Sequence, residues 1–375
     1  MKKLTYKLFL ILIIGFSASL HASEPIFKKE FTREVHESFN VSSGVNLGVQ
    51  NKYGDISITT WDKNQIQIDV LIKVKSSNSE KAQKFLNAVK IDFQSSSSKV
   101  LAKTIYPDQN NNNSWWSSWF GNNKNLDYEV HYTIQAPENM STTLVNKYGN
   151  ITQNSIDGDS DVTNKYGDIY FKNVSGDLSL VLGYGKAKVG EVGNSKVQIK
   201  YSSLKLLAAR DLEITTKYSD IKIKTCDNMV SSTKYDEYTI ENIGTLKNNG
   251  KYDEFNIGTI NSINIDTKYT DLNILTLNKI GVFDTGYGSV DVQATGSNLE
   301  KITIQSTYTG YEFDIPGDFN LNFDGSHTDL QVNQPYEKYD SHKDGSDLRI
   351  KAFRGSKDGG VQIVADMRYG GLEIE

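Results

Sequence analysis

From residue 148 onward, apolar and polar positions alternate in short runs, and the runs recur. Counting three residues on from successive tyrosines, or from His327, one meets Ile169, Leu204, Ile221, Tyr238, Phe255, Leu272 and Leu330. Five residues on stand Phe171, Leu206, Ile223, Ile240, Ile257, Ile274 and Val332. The positions between hold Tyr170, Lys205, Lys222, Thr239, Asn256, Asn273 and Gln331, so the pattern predicts a strand with one buried face. A shorter alternation precedes the tyrosine, as in Leu178, Leu180 and Leu182, or Ile263 and Ile265. Gly, Asn, Asp and Ser mark the junctions as turns, and each repeat reads strand, turn, strand, turn.

The tyrosines set the period. Tyr148, Tyr166, Tyr184, Tyr201, Tyr218, Tyr235, Tyr252, Tyr269, Tyr287 and Tyr308 follow one another mostly at 17 or 18 residues, and His327 takes the next place. A unit this short cannot bury its apolar face alone, so units must stack, each strand pairing in parallel with its counterpart one repeat away. The expected fold is all-β: a right-handed parallel β-solenoid of about 17–18 residues per coil, with two main sides. Eleven coils at about 4.8 Å give a rod roughly 50 Å long. Equivalent residues then lie above one another, and the tyrosines form a ladder at a corner. Lysine precedes the tyrosine at Lys147, Lys165, Lys200, Lys217, Lys234, Lys251 and Lys268, and an acid follows two residues later at Asp168, Asp220, Glu237, Glu254 and Asp271. An acidic column beside a basic one is expected to relieve the repulsion within each and to hold the register.

The first third follows another plan. A repeat-like strand runs from Tyr53 to Thr60, strand-like QIQIDVLIKV follows, and SEKAQKFLNAV places Ala82, Phe85 and Val89 at helical spacing behind a cap at Ser77 or Ser79. Further strands are expected around Lys90 to Phe93, Val100 to Ile105 and Tyr128 to Ile134. The division is a signal peptide at 1–22, a β-rich cap with one short helix at 23–140, and solenoid repeats with an irregular C-terminal end at 141–375. The cap is either separate from the first coils or continuous with them.

Charge and composition narrow the function. Lys2, Lys3 and Lys7 precede the apolar run Leu8 to Ile14 and then small residues up to Ala22, the layout of an export signal too short to span a bilayer. Removing it takes away three of the 41 basic residues and none of the 46 acids, so the mature chain carries a net charge of −8. Nucleic acid is therefore excluded as an expected partner, and the mature chain is expected to hold no transmembrane segment. The single cysteine, Cys226, can form no intramolecular disulfide and reads as a buried small residue.

One segment stands out chemically. NNNNSWWSSWFGNN, residues 110–123, sets Trp115, Trp116, Trp119 and Phe120 in a polar stretch. Such rings can stack on sugars, enter a membrane interface or grip a protein, or they can fold back to cover the end of the rod.

The export signal, NKYGDI with TTWDKN after it, the WWSSWF insert, DYEVHYTIQAP and the run of KYGD-like repeats together resemble the bacterial putative-adhesin β-strand-repeat family, in particular its Bacteroidetes members. The resemblance covers nearly all of the mature chain. It implies a right-handed parallel β-solenoid exported to the cell envelope, in the periplasm or on the outer surface, and it supplies no active-site residue. Related solenoids are associated with envelope-stress signalling.

Catalytic motifs are absent. There is no phosphate-binding loop, GxGxxG, GxSxG or HExxH, and no histidine set spaced for a metal, so no cofactor or metal is expected. A polysaccharide lyase or hydrolase is the enzymatic alternative, with Asp236, Glu237, Asp253 and Glu254 on neighbouring coils as its acids and Lys234 and Lys251 able to neutralise them. The leading expectation is a non-enzymatic envelope scaffold or adhesin-like binding module whose partner is an envelope glycan or envelope protein. A stress sensor on the same fold is the other class.

Overall fold

Ser203 pairs with Asp220, Asp220 with Glu237 and Glu237 with Glu254, each in parallel and each 17 residues on. That register is the fold. The computed structural model describes residues 28–106, 127–357 and 359–375. Across these residues, 23 strands form one long mixed sheet, not closed into a barrel, accompanied by a single helix. The protein is an all-β solenoid. Within each coil the alternating residues Leu204 and Leu206, Ile221 and Ile223, and Ile240 turn inward and are buried.

The coil also has a third, short side that the tyrosine-centred alternation did not separate. It adds one inward residue per coil, in a column that includes Ile156, Val174, Val192, Ala209, Cys226, Ile243 and Ile260. Cys226 fills this column between an alanine and an isoleucine, and burial pushes its thiol up to about 12. It is a small core residue, not a nucleophile poised for chemistry.

Both ends of the chain depart from sequence order. Asn46–Gln50 lies between Lys99–Ile105 and Ser141–Tyr148, parallel to each, and Ile56–Trp61 lies likewise between Asp127–Pro137 and Ile151–Gln153. The coil made by residues 46–61 is therefore first in sequence and second in the stack. At the other end, Val361–Ile374 is inserted in parallel between Lys301–Phe313 and Phe319–Val332. The last coil in sequence is next to last in space.

Antiparallel strands then close each end. Lys90–Ser96 covers Lys99–Ile105, and Gln65–Ser76 covers Asp127–Pro137 and carries Lys29–Asn40 outside it. The helix Ser79–Ala88 packs Ala82, Phe85 and Leu86 against these outer strands. Its cap is Asn78, whose side chain accepts the Lys81 N–H at 2.9 Å, while Ser76 Oγ accepts the Asn78 N–H. The serines expected as caps fall on either side because Ser79 is already helical. At the far end, Asp347–Arg354 covers Phe319–Val332, and Glu337–Asp344, exposed throughout, covers Asp347–Arg354.

Since Val361–Ile374 is hydrogen-bonded on both sides, truncation after Gly360 should do more than shorten the rod. The expected result is loss of hydrogen-exchange protection across Phe319–Val332, a strand the chain retains. Unchanged protection there would show that the end coil holds without its inserted neighbour.

Candidate functional site

The hexapeptide NKYGDI at 51–56 and 164–169 consists almost entirely of contacts between coils. Asn146 Nδ2 donates to the Gly54 carbonyl at 2.9 Å, and Asn164 Nδ2 to the Gly149 carbonyl at 3.0 Å. Gly149 and Gly167 take φ of 136° and 139°, and a Cβ there would stand 2.1 Å from the carbonyl oxygen of the preceding coil, so only glycine fits. The residue after glycine closes the gap on the other side. Asp55 Oδ1 accepts the Asn150 N–H at 2.7 Å, Asn150 Oδ1 that of Asp168 at 2.9 Å, and Asp168 Oδ1 that of Lys186 at 2.9 Å. Lys52, Lys147 and Lys165 each hold Nζ 4.9–5.3 Å from the centroid of the following tyrosine, within cation–π range.

Farther along, the motif changes as a unit to TKYS, TKYD and TKYT. Thr216 Oγ1 donates to Asp236 Oδ2 and Thr233 Oγ1 to Asp253 Oδ2, both at 2.7 Å, while Asp236 Oδ1 and Asp253 Oδ1 accept the N–H groups of Ser219 and Asp236. With glycine gone after most of these tyrosines, the left-handed conformation passes to the tyrosine itself. Nine tyrosines and His327 have φ between 52° and 62°. That backbone costs an L-residue about 1–2 kcal/mol. An aromatic contact is worth roughly 0.5–1.5 kcal/mol beyond burial, which is the same scale.

The rings form one ladder. In space it runs Tyr53, Tyr148, Tyr166, Tyr184, Tyr201, Tyr218, Tyr235, Tyr252, Tyr269, Tyr287, Tyr308, Tyr369 and His327, with centroids 4.7–5.2 Å apart. His327 stacks on Tyr369 and not on Tyr308, because the inserted C-terminal strand separates them. Tyr53 and Tyr369 thus extend the expected series, and the stack holds thirteen ring positions where eleven coils were expected. The signal for Tyr369 was present in MRYGGLEI, which repeats the turn and the alternation. Tyr106 and Tyr128 meet the ring of Tyr53 edge-on at 5.6 and 5.1 Å and close that end.

Neighbouring rings cover each other's faces, so the ladder presents edges and hydroxyls, with tyrosines from Tyr148 onward between 37 % exposed at Tyr148 and 49 % at Tyr184 among those open to solvent. Among the described residues, no ladder hydroxyl hydrogen-bonds to the protein and no lysine of the flanking column is ion-paired. This corrects the expected neutralisation by Asp168, Asp220, Glu237, Glu254 and Asp271. Lysines such as Lys217 and Lys234 lie over rings instead, and Asp220 pairs with Lys222.

The four acids considered for hydrolysis are divided by the same geometry. Asp236 and Asp253 are 4 % and 5 % exposed and occupied with hydroxyl and backbone donors, whereas Glu237 and Glu254 point outward. Lys234 reaches Asp236 only through its backbone N–H. Burial raises both aspartates, Asp253 to about 6.

Trp115, Trp116, Trp119 and Phe120 lie outside the described residues. The described residues on either side of them, Tyr106 and Tyr128, stand at the Tyr53 end of the ladder. Among the described residues, no group of three or more His, Cys, Asp or Glu could hold a metal ion, and no helix is long and apolar enough to cross a membrane.

No protein-family model matches the chain, and no curated protein matches it in sequence. Two solved structures align along most of its length. A putative cell adhesion protein from Clostridium sporogenes shares 11 % identity, covering 92 % of this chain and 98 % of its own, with a TM-score of 0.17. A putative lipid binding protein from Parabacteroides distasonis shares 10 %, covering 91 % and 96 %, with a TM-score of 0.24. At scores this low, neither neighbour bears on what the chain binds.

Two measurements address this corner. Tyr235→Ala and Tyr235→Gly both remove two ring contacts, but only alanine keeps the left-handed strain. Alanine should be the less stable by about 1 kcal/mol in urea titrations, and equal midpoints would mean the tyrosine backbone is unstrained. Asp253 sets a pH dependence. Its folded pKa of about 6 lies above the unfolded value of about 3.9, so its burial carries no penalty below pH 4, and stability falls as pH rises toward and through 6. The difference in melting temperature between wild type and Asp253→Asn should therefore change across this window, and parallel curves would refute the assignment.

Proposed function

We propose that the protein is a non-enzymatic, exported cell-envelope solenoid that serves as an adhesin-like binding or scaffold module. The observation that carries this reading is the corner ridge: exposed tyrosine edges with unpartnered hydroxyls beside lysines without ion pairs, repeated at coil spacing. Groups left unsatisfied by their own protein, in a regular array, are suited to an extended partner. The buried acids support the non-enzymatic part, since Asp236 and Asp253 serve the turns and face no cleft. The resemblance to the putative-adhesin repeat family supports export and an envelope partner, either a glycan or a protein.

The aromatic segment between Tyr106 and Tyr128, which stand at one end of this ridge, is the candidate specific contact. Co-sedimentation of the mature protein with envelope fractions and insoluble glycans tests the proposal, with wild type compared against a combined Trp115→Ala, Trp116→Ala and Trp119→Ala variant. Wild type should pellet with a fraction, and the triple variant, still folded by circular dichroism, should stay in solution. If wild type pellets with none, the binding function fails.

A further inference from the structure

On the side of the coil that follows the tyrosine, one outward column runs Tyr170, Lys188, Lys205, Lys222 and Thr239, each the direct parallel partner of the next. Three lysines in register on adjacent strands is an arrangement that like-charge repulsion disfavours. Only part of it is relieved by neighbouring acids. Lys222 pairs with Asp220 at 3.4 Å, while Lys188 and Lys205 form no ion pair among the described residues. The column borders a shallow hollow of about 310 Å³ lined by Lys188, Lys205, Lys222, Lys224, the exposed Leu207 and one acid, Glu241. The chain as a whole is acidic, so this basic face is a local concentration and not a reflection of composition.

Tyr170 stands next to the lysines in the column, with the smaller Thr152 on its other side. It is 42 % exposed, and its hydroxyl is held by Asp168 Oδ2 at 2.8 Å. Unlike the ladder tyrosines, it has no ring stacked on it among the described residues, and its neighbour away from the lysines is the small Thr152.

We propose that this column binds a linear acidic polysaccharide laid along the rod axis. Tyr170 packs against one sugar ring, and Lys188, Lys205 and Lys222 each meet the anionic group of a successive sugar. Adjacent strands lie about 4.8 Å apart, close to the advance per residue of an extended pyranose chain, so the lysine column and a sugar chain laid along it run at similar spacing. An exposed aromatic face is the usual platform for the apolar side of a sugar, and rotatable ammonium groups accept carboxylate or sulfate alike. A membrane surface matches less well, because it requires neither a single-file register nor an unstacked ring beside the lysines.

The inference rests on the rod being a binding module, and it names the ligand class and the residues. Affinity electrophoresis of the mature chain in gels containing polygalacturonate, dextran or no polymer tests it. Wild type should be retarded by polygalacturonate alone, and the retardation should weaken as salt is raised. Lys188→Gln, Lys205→Gln and Lys222→Gln combined should weaken binding roughly tenfold or more through loss of three charge-assisted contacts. Tyr170→Leu should weaken it several-fold without changing charge. A charge-matched control, Lys247→Gln, Lys279→Gln and Lys301→Gln combined, should bind like wild type, and circular dichroism confirms that each variant is folded.

Retardation unchanged in the Lys188, Lys205 and Lys222 variant, or lost equally in the control, would overturn the site. Flotation with phosphatidylglycerol vesicles in place of polygalacturonate retardation would assign the face to membranes and overturn the glycan. Absence of retardation in a wild type that still pellets with envelope fractions would end this inference and leave the binding module standing.

Discussion

Every structural feature follows from one constraint: in a parallel in-register stack, each residue must tolerate its counterpart directly above and below. A column of isoleucines or leucines satisfies it by packing. At the corner the constraint is harder, because backbone groups leave the ladder there and need partners. The protein meets it in two ways. One is Asn with Gly, in which the side-chain amide reaches the glycine carbonyl of the coil before. The other is Thr with Asp, in which the hydroxyl and two backbone N–H groups converge on one carboxylate. The change of partner explains why the tyrosine alone takes the left-handed turn at TKYS, TKYD and TKYT. From Tyr184 onward the strain falls on the ladder residue, at Tyr184, Tyr287 and Tyr369 even with glycine next in sequence, and a ring stacked on both faces is well placed to bear it.

Stacking also makes ends dangerous, since an open terminal strand is a template for another chain. Here the outermost coils of the stack are not the first and last coils in sequence. Residues 46–61 and 361–374 are each clamped between coils on both sides. The outermost positions go to antiparallel strands. Those strands are charged, as in KEFTREVHESFN and EKYDSHKD, which blunts the edges they expose. Unravelling the coil of residues 46–61 or of residues 361–374 therefore requires extracting strands bonded along both edges.

The same constraint decides what could be read from sequence. Columns built by consecutive repeats, such as Leu204, Ile221 and Tyr238, are visible because spatial and sequence neighbours coincide. Tyr53 and Tyr369 are joined to Tyr148 and Tyr308 across intervening segments, and no local pattern states that the chain returns to insert itself. The charge columns misled for a related reason. Lys217 and Asp220 are close in sequence, but Lys217 lies over the ring of Tyr218 and Asp220 pairs with Lys222, so proximity along the chain predicted an ion pair that does not form. Segment 107–126, with its tryptophans, is the part for which sequence remains the whole argument.

A useful distinction among columns emerges. Polar side chains whose oxygens are taken by the next coil are architecture, however acidic they look: Asp159 accepts the Asp177 N–H, Asp211 accepts from Asn228, and Asn228 in turn accepts from Thr245. The groove of about 730 Å³ that Asp159, Asp177 and Asp211 line is therefore spoken for along much of its length. Lys188 and Lys205 have no such duty. They carry the repulsion that register imposes, and their side chains form no ion pair or hydrogen bond among the described residues, so electrostatics within the fold does not account for them. In a solenoid, repetition by itself says only that coils resemble one another. It is the repeated group without an internal partner that points outward to something the protein holds.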